Sequence, residues 1–172
     1  MSALLSGCKV EPKLNFTPEF LSVDEVQSLT SMVDIIFPKT STPSASEVGV
    51  TEFIDATLAN VADVEGKEKF KAGMAKFNET VQKEHGKAYN DLDEKTKLDF
   101  LTKLDASAFS DDKKGKDNLL SDFWKGIKGD TYFGYFSSEK VAKEVLVYLP
   151  VPGPYVGCVD LMEATGGKTW AY

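Results

Sequence analysis

A mainly α-helical, single-domain fold is what this chain of 172 residues predicts. Three observations lead there. Apolar residues recur at three- and four-residue spacing in successive stretches, and capping and proline signals open and close those stretches. The length also suits one domain that buries roughly 70% of its unfolded surface. The expected architecture is a helical-bundle-like body of about five to six helices. An irregular C-terminal tail rich in proline, glycine and aromatic residues follows it, with room for one short strand.

The first helix starts at Ser22-Val23-Asp24-Glu25, a capping box in which the serine oxygen accepts from the third helical amide and the glutamate reaches back. Val26, Leu29, Val33, Ile36 and Phe37 follow at helical spacing until Pro38 ends the run. After the turn-rich Lys39–Ser44 stretch, Ser46 is expected to cap a second helix with Val50, Phe53, Ile54, Leu58 and Val61 on one face. A third helix is predicted from Glu65 to His85, with Phe70, Met74, Phe77 and Val81 inward. The fourth runs from Leu92 to Ala106 on Leu98, Leu101 and Leu104, and Asp111–Lys114 is a solvated loop. The fifth begins near Asp117 with Leu120, Phe123, Trp124 and Ile127 inward, and Gly126 and Gly129 weaken its far end. Ser138-Glu139 opens a sixth helix through Leu146. Pro150–Pro154 excludes helix and central strand, and Tyr155–Val159 is the candidate strand.

Composition narrows the function. Twenty-seven acidic side chains against twenty basic ones give a formal charge of −7, and every basic residue is a lysine. Arginine is the usual bidentate reader of phosphate and guanine, so this balance argues against nucleic-acid binding. A single histidine, His85, excludes multi-histidine metal sites. No G-x-G-x-x-G follows a strand and no phosphate-cradling G-x-x-x-x-G-K-[ST] occurs, so no nucleotide or flavin site is expected in this chain.

Residues 1–16 are expected to be a tether separate from the helical domain at 17–172. Leu5-Ser6-Gly7-Cys8 resembles a lipobox, with Cys8 the residue that would carry lipid, although only four residues precede the box and a secretory signal needs more. That pattern reads either as the end of a truncated signal segment or as a chance match, since so loose a four-residue pattern is common. Cys158 is expected to be a small buried hydrophobe. A Cys8–Cys158 disulfide is the alternative in an oxidising compartment, and it would preclude lipid on Cys8. No apolar run approaches the ~20 residues of a membrane span.

Candidate chemistry is sparse. His85 sits at the end of the third helix, where an exposed imidazole interacts favourably with the dipole. Asp34, Glu52 and Asp55 lie nearest apolar faces. As a facing pair they would suit acid/base hydrolysis, and as single acids they would cap neighbouring backbone amides. The most distinctive composition is Thr131-Tyr132-Phe133-Gly134-Tyr135-Phe136, with Trp124 upstream. These rings form either a core cluster or, together with Pro152 and Tyr155, a docking surface, since interface cores favour aromatics and lack charge.

Three segments together resemble the gluconate 2-dehydrogenase subunit 3 family. They are Leu21-Ser22-x-x-Glu25, Met32-Val33-Asp34-Ile35-Ile36-Phe37-Pro38-Lys39-Thr40-x-x-Pro43, and Gly49-Val50-x-x-Phe53-Ile54-Asp55. Thr131–Phe136 and Pro152-Gly153-x-Tyr155-x-Gly157-Cys158 are similar to that family's C-terminal half. Pro43-Ser44-Ala45 departs from its common Pro-Gly-Ala. The resemblance implies that Asp34, Pro38, Pro43, Phe53 and Asp55 are structural. It further implies a non-catalytic small subunit of a periplasmic sugar or glucoside dehydrogenase. FAD would be held by a large glucose-methanol-choline-type partner, and a cytochrome or another acceptor would take the electrons. The competing expectation is a free-standing envelope lipoprotein with a ligand pocket around Trp124 and Tyr135.

Overall fold

The computed structural model describes residues 14–110, 117–151, 153–154 and 157–171. The body is built from α1 (Val23–Ile36), α2 (Val50–Asn60), α3 (Val64–His85), α4 (Glu94–Ala108) and α5 (Asn118–Ser137), and a short α6 (Leu161–Thr165) lies in the tail. Single 3-10 turns at Ser46–Val48 and Tyr89–Asp91 break the connections. Among the described residues the only β-type pairing is an isolated parallel bridge between Val147 and Trp170.

Helix α1 forms as the sequence predicts. Ser22 Oγ accepts from the Glu25 amide, Glu25 Oε2 accepts from the Ser22 amide at 2.8 Å, and Val26, Leu29, Met32 and Val33 are buried. Helix α3 also matches its stripe, with Met74, Phe77 and Val81 inside and Asp63 accepting from the Gly66 amide at its start. Helix α5 is the hub, packing against α1, α2, α3 and α4.

Two close approaches set the hub in place. A Cβ on Gly73 of α3 would lie 2.6 Å from Phe123 Cβ, so the missing side chain lets α3 and α5 meet. A Cβ on Gly134 would lie 2.9 Å from the Phe53 ring, which explains a glycine inside the aromatic run.

The structure corrects several expectations. Ser46 opens a 3-10 turn instead of capping α2; Gly49, at φ +78°, turns the chain so that α2 starts at Val50. Only a glycine adopts that backbone geometry cheaply. Val61 is 77% exposed rather than inward, because α2 ends at Asn60 and both Val61 and Ala62 donate back to the Thr57 carbonyl. Helix α4 begins two residues late, at the Asp93 cap, and Leu98 is half exposed. The buried stripe runs through Lys97, Phe100, Leu101, Leu104 and Ala108, one residue out of phase with Leu98.

Helix α5 continues through Gly126 and Gly129 to Ser137, since Ile127, Thr131, Gly134 and Tyr135 are buried beyond them. The sixth helix opens after Ser138 as expected and occupies residues 139–145, but its Val141–Val145 part is π-helical; Ser138 donates its hydroxyl to the Tyr135 carbonyl at the end of α5 and accepts from the Val141 amide. Gly157–Val159 form no strand, and the rest of that expectation, Tyr155 and Val156, lies outside the described residues. Cys158 is an exposed free thiol rather than a buried hydrophobe. Asp111–Lys114 also lies outside the described residues.

Candidate functional site

The two acids nearest the core are spent on backbone. Asp55, 1% exposed on α2, accepts from the amides of Glu19 at 2.7 Å, Phe20 at 3.1 Å and Leu21 at 2.8 Å. It thereby fastens the segment before α1 to the body. Asp34 on α1 accepts from the Ser46 amide at 2.8 Å and the Ser46 hydroxyl at 2.7 Å, fixing the 3-10 turn. Glu52 is exposed. A carboxylate whose lone pairs point at fixed amides is a poor proton shuttle, so this pair does not form a hydrolytic site.

The remaining motif residues surround one corner. Tyr135, 3% exposed, donates its hydroxyl to the Pro43 carbonyl at 2.9 Å and stacks on Phe37 at 4.1 Å between centroids with planes 6° apart. Phe136 meets the same Phe37 ring edge-on at 5.5 Å. Pro38 is exposed just past α1, while Pro43 is buried under Tyr135. Phe53 packs its ring 5.8 Å from Phe133. Short offset and edge contacts of this kind add to the area they bury.

The aromatic run is thus divided. Tyr135 faces inward, Tyr132 is 47% and Phe133 65% exposed, and Phe136 is half-buried. Trp124 is core: 3% exposed, it donates Nε1–H to Asp105 Oδ1 at 2.8 Å. The expectation of a docking or ligand surface fails for Trp124 and Tyr135, whose rings fill the space such a site would need. Pro152 and Tyr155 lie outside the described residues, as does Cys8.

One small electrostatic cluster escaped the sequence. Asp105 Oδ1 also takes Lys128 Nζ at 2.6 Å. Partial burial pushes the Asp105 carboxyl up, but the bonds from Lys128 and Trp124 outweigh that and leave it below the ordinary carboxylate range. The spacing of Asp105 and Trp124 carried no signal for this, because the two meet only once α4 and α5 are packed. Lys97 is another departure, 8% exposed with its Nζ 3.2 Å from Glu94 and 5.6 Å over the Tyr89 ring. Burial pushes the Tyr89 hydroxyl up to about 12.

His85 ends α3 beside the left-handed Gly86 as expected, but it is less exposed than predicted, lying edge-on to Phe100 at 5.7 Å. A groove of about 590 Å³ runs between α1 and α4, lined by Leu14, Ile35, Pro38, Lys97 and Leu98 among others. Among the described residues no three metal-binding side chains cluster, and no helix is long and apolar enough to cross a membrane.

These features define a small helical protein whose Asp34 and Asp55 hold its own backbone and which exposes Tyr132 and Phe133 near the end of α5. The family model for gluconate 2-dehydrogenase subunit 3 matches residues 23–153, and the chain belongs to that family. No curated protein and no solved structure matches it. The family is named as a subunit of a dehydrogenase, which makes an accessory role in a multi-subunit complex the class of function indicated.

Proposed function

We propose that this chain is the non-catalytic small subunit of a periplasmic FAD-dependent sugar or glucoside dehydrogenase. It stabilises the large flavin subunit and escorts it to its compartment. The observation that carries this reading is the family match over residues 23–153. The structure supports it in two ways. Asp34 and Asp55 are committed to the fold, and Tyr132 and Phe133 stand exposed on the last turns of α5, where aromatic rings suit a protein partner. FAD belongs to the partner in this scheme, and a cytochrome or another acceptor receives its electrons. Residues 1–16 act as the tether, with Cys8 as the lipid site.

The test is co-expression with a large flavoprotein subunit of the glucose-methanol-choline type, followed by size-exclusion chromatography. A single peak that contains both chains and absorbs at flavin wavelengths is the expected result. Consistent separate elution overturns the reading, as does sugar oxidation by this chain alone.

A further inference from the structure

Beyond the π-helical turn the chain changes chemistry. Residues 147–171 contain only three charged side chains, Asp160, Glu163 and Lys168, whereas 27% of the whole chain is charged. The segment closes on itself. The Val147 amide donates to the Thr169 carbonyl and the Ala171 amide to the Val147 carbonyl, both at 2.9 Å, and Asp160 caps α6 through the Glu163 amide. Among its described residues, large apolar side chains stand outside. Tyr148 is 50%, Leu149 49%, Val151 80%, Leu161 56%, Met162 68% and Trp170 41% exposed. Exposed apolar side chains in so charge-poor a segment match the composition that interface cores favour.

We infer that the described part of this segment, residues 147–151 and 157–171, is a clasp that the flavin-carrying large subunit covers, its own contact surface there being apolar and poor in charge. The inference rests on the subunit reading above and adds to it the location of the contact. The family match ends at residue 153, so α6 and the return to Trp170 lie outside the part matched to the family. A second copy is the less suitable occupant, because each chain carries a formal charge of −7 and self-association would bring two such charges together.

The test uses the full chain with Leu149→Lys and Leu161→Lys combined, co-expressed with the same flavoprotein. Both positions are about half exposed, so the urea midpoint of the isolated variant should equal that of the parent. If the double variant is destabilised, Val151→Lys at the most exposed position takes its place. The expected result is that the parent co-elutes with the flavoprotein and the variant binds it at least tenfold more weakly. Parent and variant co-eluting equally well overturns the clasp and leaves the subunit reading standing. Failure of the parent itself to co-elute overturns both. A parent that forms homodimers, which the variant loses, identifies a second copy as the occupant and also overturns the proposal.

Discussion

Removing the Asp55 carboxylate tests the claim that this acid is structural. Its oxygens satisfy three consecutive amides, those of Glu19, Phe20 and Leu21. In Asp55→Ala the Glu19 amide, on an exposed residue, turns to water at little cost. Leu21 is only 6% exposed and its amide has no such recourse. A buried donor left alone costs about 1–3 kcal/mol, and the lost charge-assisted bonds add to this, for a total of about 3–5 kcal/mol. With a denaturant slope of about 2 kcal/mol/M, the urea midpoint should fall by roughly 2 M. Asp55→Asn keeps one acceptor oxygen and should lose about half as much. In that milder variant, amide hydrogen exchange should quicken first at Phe20 and Leu21. An Asp55→Ala midpoint within about 0.3 M of the parent refutes the reasoning, since it would mean that these amides find equal partners elsewhere.

Two further outcomes follow from contacts at other sites. Gly73→Ala puts a methyl within 2.6 Å of Phe123 Cβ, which cannot swing away. It should destabilise by about 1–3 kcal/mol despite the better helix propensity of alanine, whereas Gly126→Ala meets nothing within 4 Å and should stabilise by about 0.5–1 kcal/mol; thermal melts of the two should move in opposite directions. Asp105→Asn should cost about 1 kcal/mol at pH 7, because a partly exposed pair is screened and the amide can still accept from Trp124. The folded carboxyl titrates below its ordinary 3.8, so its contribution is complete above that value and lost as pH falls through the lower folded one. The stability gap between parent and Asp105→Asn, read from urea curves, should therefore be constant from pH 7 to about 5 and shrink below about 3.8.

Local signals carried much of the fold. The capping box at Ser22 and Glu25, the stop at Pro38 and the 4-3-4 stripe through Phe70, Met74, Phe77 and Val81 depend on neighbours within a turn or two. The reading of Asp34 and Asp55 as caps was also available, since an acid beside apolar residues in a helix needs fixed donors. Long-range packing hid the rest. Gly126 and Gly129 weaken a helix taken alone, yet Thr131 and Tyr135 are held in the core by elements far away in sequence. Leu98 lost its place to Lys97, whose aliphatic stem covers the core while its ammonium reaches Glu94. The division of the aromatic run could not be read from composition, because it depends on where Phe37, Phe53 and Pro43 arrive.

The attachment of Glu19–Leu21 to Asp55 has a mechanical consequence. A pull on the chain ahead of Glu19 is shared with α2 before it reaches the first turn of α1. The load is borne by three parallel bonds rather than by the fraying end of a helix. The body beyond that point therefore stays unstrained when the chain ahead of Glu19 is pulled.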